Sequence, residues 1–545
     1  MSTLAPTGYV DTFARDHLPP TEQWPVLEFT TPELRHPERL NAAVELIDRS
    51  VATFGADRPA LRTPAGEEWS YGDLLARANQ VAHVLVDLGL VPGNRVLLRS
   101  PNTPWTVAAW LGVVKAGGIA VTTMTALRAP ELAPIVERTR PTLALVDHRC
   151  VDDVLEVRAT VAPGLTVVPV GGNAEDDLTR RVDGRPADFA AVDTAADDVA
   201  LFGPTSGTTG VPKITTHFHR DVLTIDATFG SVLGLEPTDL VACTAPFAFT
   251  FGLGMLVVFT LRAGACAYLT EAVAPPELAD LVARDGITVL ATAPTAYRQI
   301  LGAGKGHQLK GLRVAVTAGE HMAVETWQQL ERETGIRAID GIGGTEMLHI
   351  FISAAGDDIR PGATGKPVPG YRAAILDADG NELGPGVEGR LAVIGPVGCR
   401  YLDDPRQADY VIGGWNITGD TYLRDEDGYY WYRARSDDMI VSSGYNIGGP
   451  EVEAALDTHP DVVEAGVVAE PDPDRGAIVC AFVVLRDGVT GDAAKTRELQ
   501  QHVKSRIAPY KYPRDVRYVD ALPRNPSGKL QHYKLRAIIT SEVTS

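Results

Sequence analysis

One stretch limits what this chain can fold into more than any other: Thr205-Ser-Gly-Thr-Thr-Gly-Val-Pro-Lys213, small hydroxyl and glycine residues closed by a single lysine. Gly207 and Gly210 free the backbone to curl until successive N–H groups point inward. The hydroxyls of Thr205, Ser206, Thr208 and Thr209 add donors, and Lys213 supplies a mobile positive charge. By composition such a run is either a flexible loop or a phosphate cradle. It is not the Walker type, because no Gly-Lys-Ser/Thr follows a first glycine at the required offset. Residues 199–202 are apolar and read as a strand feeding it.

The flanking sequence has a βα rhythm. Residues 71–88 repeat apolar side chains at helical spacing, 95–98 read as a short strand, and 104–116 are helical again. Lys115-Ala-Gly-Gly118 closes that helix, and its glycines are read as ending it. Further on, 287–291, 314–317 and 336–340 are strand-like. They leave into Pro294-Thr295, Ala318-Gly319-Glu320 and Gly341-Ile-Gly-Gly-Thr-Glu-Met-Leu-His349. Loops beyond the carboxyl ends of parallel strands build the ligand crevice of an open sheet. From Ser436 the pattern changes to a small α+β unit: a helix opened by Pro450, strands at 462–468 and 478–485, and an amphipathic stretch at 496–507. The predicted fold class is therefore α/β: a large N-terminal region of several subdomains with layered sheets (1–435), then a small α+β domain (436–545).

Composition decides what such a protein meets. Fifty Lys+Arg against seventy Asp+Glu leave a net charge of −20, which disfavours nucleic acid and anionic membranes and points to small-molecule partners. The five cysteines, Cys150, Cys243, Cys266, Cys399 and Cys480, make no C-x-x-C pair, so reduced thiols in a cytoplasm are expected. No secretion signal is legible at Met1-Ser-Thr-Leu-Ala-Pro. The longest apolar run, 247–261, is broken by glycines and falls short of the roughly 20 residues that span a bilayer, so it is expected in the interior.

Several motifs carry chemistry. His217-Phe-His219 has metal-like spacing without a third ligand nearby, so the pair is read as packing and hydrogen-bonding behind the loop. In Ala245-Pro-Phe-Ala-Phe-Thr-Phe-Gly-Leu-Gly254, Phe247, Phe249 and Phe251 recur at every second position. They are either aromatic core or one wall of a flat apolar slot whose glycines let backbone approach a planar ligand. His349, about one helical turn beyond Glu346, is either a satisfied core histidine or a group in that slot. Taken alone, Thr418-Gly-Asp420 is a turn and Lys529 is a solvated charge.

In their order these motifs resemble the adenylate-forming superfamily of acyl- and aryl-CoA ligases, adenylation domains and luciferases. The run Pro212-Lys-Ile-Thr-Thr-His-Phe-His-Arg-Asp221 and Thr345-Glu-Met-Leu-His349 resemble the benzoate and 2-aminobenzoate CoA-ligase type, with Gly344 in place of that group's common serine. The resemblance implies an enzyme that uses ATP, Mg²⁺ and CoA to activate an aromatic acid, with oligomeric state left open and a homodimer among the options. ATP would contact the loop from Thr205 to Gly210, Lys213, Gly319, Glu320, Asp340, Gly341, Ile342, Gly343, Gly344, Thr345, Asp420 and Arg435. Lys213, Glu346 and Lys529 are the implied catalytic set, with Glu346 holding Mg²⁺. Phe249, Phe251, Gly343 and His349 are the implied aryl pocket, Asp437 the hinge, and Gly444 with Tyr445 the CoA channel. A stand-alone aryl-AMP ligase loading a carrier protein, or a non-catalytic binding descendant, shares most of these residues.

Overall fold

The computed structural model describes residues 4–205, 212–435, 439–442, 445–472, 475–507, 509–525 and 528–543. The expected βα rhythm begins with helix Tyr71–Asp87, whose start is fixed by a reciprocal cap. Asp73 N–H donates to Ser70 Oγ at 3.0 Å, and Ser70 N–H donates to Asp73 Oδ2 at 3.0 Å. Helix Pro104–Lys115 opens with proline at its first turn and packs on it. A Cβ at Gly112 would lie 2.8 Å from Ala78 O, so glycine sets how closely the two helices approach. Trp110, fully buried on the second helix, anchors the core there, and truncation to alanine would cost about 3–5 kcal/mol. That helix ends in Gly117, whose φ of 73° is a left-handed helix stop.

Two compact units divide the chain: Met1–Ala373 with Val393–Asn416, and Ala374–Ala392 with Ile417–Ser545. The first holds two large sheets. A six-stranded sheet runs in the spatial order Thr166–Val170, Leu143–Asp147, Arg95–Arg99, Ile119–Thr122, Val199–Thr205, Lys213–Phe218. It is parallel until the last pair, which is an antiparallel hairpin with Thr205 opposite Lys213. The glycine-hydroxyl run is thus the connection of a hairpin at the sheet's end.

The nine-stranded sheet runs Lys366–Pro367, Ile350–Ser353, Ile339–Gly343, Val314–Ala318, Val289–Thr292, Leu240–Cys243, Cys266–Tyr268, Pro59–Arg62, Glu68–Ser70. From Ile339–Gly343 to Pro59–Arg62 every pairing is parallel. The loops that begin at Thr244, Ala293, Gly319 and Gly344 therefore leave the same edge of the sheet, where an open parallel sheet places its ligands. The apolar run 247–261 lies in the interior as short α-helical and wider π-helical turns. Among the described residues, no helix is long and apolar enough to cross a membrane.

In the second unit, Val462–Asp472 pairs antiparallel with Gly476–Leu485, which pairs parallel with Asp515–Tyr518. Alternation builds two cores from one strand. Val479, Ala481 and Val483 face helices Gly449–Asp457 and Ala493–Arg506, whereas Cys480 and Phe482 face Leu535 and Ile539 of helix His532–Val543.

Candidate active site

The motif that follows Ile339–Gly343 is a tight reversal rather than a helix. Thr345–Met347 makes one 3₁₀ turn, Leu348 takes a φ of 67°, and Ile350–Ser353 returns antiparallel. His349 is thus not one helical turn beyond Glu346, because the positive φ at Leu348 breaks any continuous helix between them. A Cβ at Gly343 would sit 2.7 Å from His349 O, so the reversal needs glycine there.

On this turn Glu346 meets Lys213 through a residue that sequence reasoning missed. The Tyr401 hydroxyl donates to Glu346 Oε1 at 2.6 Å and accepts from Lys213 Nζ at 2.8 Å, while Lys213 Nζ stands 3.6 Å from Glu346 Oε1. The ammonium also lies 4.7 Å from the Tyr401 ring centroid and 5.6 Å from that of Tyr410. Tyr401 is fully buried; desolvation first, then the Glu346 charge, push its phenol far above the ordinary tyrosine range, so it stays a proton donor. No spacing rule links positions 188 apart.

Behind the turn, His217 Nε2–H donates to Thr345 O at 2.7 Å. His217 is buried with Asp221, which pairs with buried Arg400, and Arg400 lies 4.0 Å from the Phe218 ring centroid. His219 accepts from Ala42 N–H through Nδ1 at 3.1 Å and bonds the Tyr9 hydroxyl through Nε2 at 3.0 Å. Desolvation pulls both imidazoles down to about 4, so each is neutral with a fixed tautomer. The two histidines pack and bond behind the hairpin, on separate partners.

His349 lies in an aromatic cage. Its ring stacks on Phe229 at 5.2 Å, tilts against Phe251 at 5.5 Å and meets Phe259 edge-on at 4.7 Å. Neither ring nitrogen makes a well-formed hydrogen bond among the described residues; desolvation takes the imidazole down to about 3, outweighing a small opposing pull from the Phe251 backbone. Gly343, Phe251 and His349 are brought together, while Phe249 lies at the N-terminal end of helix Thr250–Leu253. Phe247 does not join them: because the segment turns into a helix, it points into the core, edge-on to Trp110 at 6.3 Å. The two glycines of Gly252-Leu-Gly254 are taken up by the protein's own packing. A Cβ at Gly254 would fall 2.3 Å from His349 Cδ2, and one at Gly252 would fall 2.4 Å from Pro246 O.

Along the same sheet edge, Gly319 adopts φ 89° and Glu320 Oε2 accepts from Thr295 Oγ1 at 2.5 Å. Asp340 Oδ1 has no hydrogen-bond partner among the described residues, and desolvation pushes its carboxyl up to about 7. It lines a cavity of ≈ 10 Å³ with Met322, Trp327 and Arg360.

In the second unit, Asp420 and Arg435 are direct antiparallel partners, with Nη1 3.5 Å from Oδ1. Lys529 is exposed, and its backbone pairs with Asn525, whose Oδ1 accepts from Lys529 N–H at 2.8 Å and whose N–H donates to Lys529 O at 2.9 Å. Ser206, Gly207, Thr208, Thr209, Gly210, Asp437 and Gly444 lie outside the described residues. For Tyr445 only its backbone, in strand Tyr445–Gly448, is described.

A carboxylate, an ammonium and neutral donors grouped beyond parallel strands suit an anionic, phosphate-bearing ligand. Residues 47–400 match the AMP-binding enzyme family, and residues 451–529 match the C-terminal domain of AMP-binding enzymes. The chain belongs to the AMP-binding, adenylate-forming enzymes. Among its relatives in that family is a benzoate–CoA ligase of Thauera aromatica, 35% identical, with 93% of this chain and 98% of that protein covered. The acyl-coenzyme A synthetase ACSM3 of Mus musculus is 32% identical, covering 92% and 90%. The anthranilate CoA ligase AuaEII, solved with anthranoyl-AMP, superposes with a TM-score of 0.89 at 32% identity, covering 94% of this chain and all of that one. The α/β fold with a separate C-terminal domain is thus that of the adenylate-forming family.

Proposed function

We propose that this enzyme is an AMP-forming aryl-CoA ligase acting on a single-ring aromatic acid, benzoate or 2-aminobenzoate first and salicylate next. One observation carries the reading. A single tight turn presents Glu346, joined to Lys213 through Tyr401, and three residues later His349, a neutral imidazole caged by phenylalanines with neither nitrogen in a well-formed hydrogen bond among the described residues. Burying a polar ring without such bonds is costly, and an ortho amino or hydroxyl group of the acid would relieve that cost.

The reaction has two steps. A carboxylate oxygen of the acid attacks the α-phosphorus of ATP, the bond to the β-phosphate breaks, and pyrophosphate leaves. The CoA sulfur then attacks the acyl carbon of the adenylate, and AMP leaves. The obstacle in the first step is negative charge meeting negative charge, and the chain answers it with cations and donors. Lys213 and the Thr205 to Gly210 loop bind the phosphates. Lys529 approaches the α-phosphate, and Asp420 with Arg435 takes the ribose. Asp340, Gly341 to Thr345, Gly319 and Glu320 border the nucleotide base and phosphates. Glu346 Oε1 is held by Tyr401 while Oε2 accepts no hydrogen bond from described residues, so an oxygen donor suited to Mg²⁺ is left. When bound, Mg²⁺ neutralises phosphate charge.

For the second step, residues 436–545 are the moving domain, with Asp437 as its hinge. Their swing exchanges Lys529 for Gly444 and Tyr445, which line the CoA channel. The five unpaired cysteines favour a cytoplasmic enzyme.

Pyrophosphate release across a panel of aromatic and fatty acids, with CoA and a phosphopantetheinylated carrier as acceptors, tests the reading. Benzoates are expected to lead, with CoA as acceptor. A kcat/KM for medium-chain fatty acids above that of every benzoate, or acyl transfer to the carrier alone, would overturn it.

A further inference from the structure

The Tyr401 hydroxyl is the one described polar atom that touches both Lys213 and Glu346. It is held rigidly. Its backbone bridges Thr215 on the hairpin strand that carries Lys213, its N–H donates to Gln407 Oε1 at 2.8 Å, and its ring meets Tyr410 edge-on at 5.7 Å. Glu346 can only accept, so the phenolic proton is committed to it and an oxygen lone pair remains for the ammonium. Without the phenol, a lysine next to a carboxylate collapses into a direct ion pair, which occupies the oxygens that a cation needs and withdraws the ammonium from the phosphates. With the phenol, Lys213 Nζ is held 3.6 Å from Glu346 Oε1, and Glu346 is turned so that Oε2 stays open.

We propose that Tyr401 is a positioning residue for the adenylation half-reaction. It spaces Lys213 from Glu346 and orients the Glu346 carboxylate, so that both are ready for a metal-bound nucleoside triphosphate. The proposal rests on the aryl-CoA ligase reading given above. It assigns no role to Tyr401 in thioester formation, where no triphosphate is bound.

The test is Tyr401→Phe in the full-length enzyme, which removes one oxygen and keeps the ring. Binding of Mn²⁺ with α,β-methylene-ATP, followed by the loss of the free Mn²⁺ signal in electron paramagnetic resonance, is expected to weaken about tenfold. Adenylation kcat/KM is expected to fall about ten- to a hundredfold, as for loss of a charge-assisted hydrogen bond. The melting temperature and the rate of thioester formation from supplied benzoyl-AMP and CoA are expected to stay at wild-type values. Unchanged Mn²⁺–nucleotide binding and adenylation would overturn the proposal, and so would an equal fall in both half-reactions. If the wild-type enzyme released no pyrophosphate with any aromatic acid, the ligase reading would fail, and the Mn²⁺–nucleotide comparison would still decide the role of Tyr401.

Discussion

Asp420 and Arg435 face each other across one antiparallel rung, Arg435 Nη1 3.5 Å from Asp420 Oδ1, with Asp420 in mid-strand beside Gly419, whose φ is 78°, and Arg435 at the last residue of strand Tyr430–Arg435. The arginine stands beside the carboxylate, an arrangement that suits an acceptor for two neighbouring hydroxyls. Asp420→Ala should raise KM for ATP about ten- to a hundredfold, as for a lost pair of hydrogen bonds to a charged group. Wild-type enzyme should discriminate against 2′-deoxy-ATP and Asp420→Ala should not. A variant that still prefers ATP would place the ribose elsewhere.

His349 should set preference among ring substituents rather than perform chemistry. His349→Ala is expected to cost roughly 1–3 kcal/mol in kcat/KM for ortho-amino and ortho-hydroxy acids, and less for benzoate. Equal losses on every acid would assign it to packing or to the carboxylate.

The fold was legible wherever periodicity and capping agree. The helices at 71–87 and 104–115 and the strands at 95–99 and 314–318 fall within a few residues of the sequence expectation, because local propensity and burial pull the same way there. Other features depend on contacts far apart in sequence. The phenylalanines at every second position read as either aromatic core or one wall of a slot; the segment turns at Pro246 and enters a helix, which sends Phe247 to the core and Phe251 to His349. Phe229 and Phe259 join the cage around His349 from separate helical turns, and Tyr401 reaches Lys213 from a segment 188 residues further along the chain. No local pattern encodes those meetings.

Stability should depend on pH through three buried imidazoles. His217 faces Thr345 O, Asp221 and Arg400; His219 faces Tyr9, Ala42 N–H and Asp198; His349 faces Phe229, Phe251 and Phe259. Folded values of about 4, 4 and 3 lie below the ordinary 6.5, so between them the unfolded chain binds more protons. The sign follows: this contribution is fully present above about pH 6.5 and is lost as pH falls through the folded values. The Asp340 carboxyl, pushed up to about 7, works in the opposite sense across the same window, so the imidazole contribution is read as a difference: between about pH 7.5 and 5.5 the melting temperature should fall more, or rise less, in the wild type than in His349→Phe. Identical slopes in both proteins would remove His349 from the linkage.

Lys529 should separate the two half-reactions. Lys529→Ala is expected to abolish most acyl-AMP formation from acid and ATP while leaving thioester formation from supplied acyl-AMP and CoA near wild-type. Asp437→Pro should do the reverse, since proline fixes φ near −65° and hinders the second domain orientation. Rates of both half-reactions in both variants decide the matter. Wild-type adenylation by Lys529→Ala would remove this lysine from the mechanism.

In this enzyme one chain first makes an aryl-adenylate and then hands the aryl group to CoA. A single-turnover experiment with benzoate or 2-aminobenzoate and Mg·ATP, first without CoA, tests it most directly. One pyrophosphate and one enzyme-bound aryl-AMP per active site are expected, with stoichiometric aryl-CoA and AMP once CoA is added. No pyrophosphate before CoA with either acid, or an aryl-AMP that CoA does not consume, would contradict it.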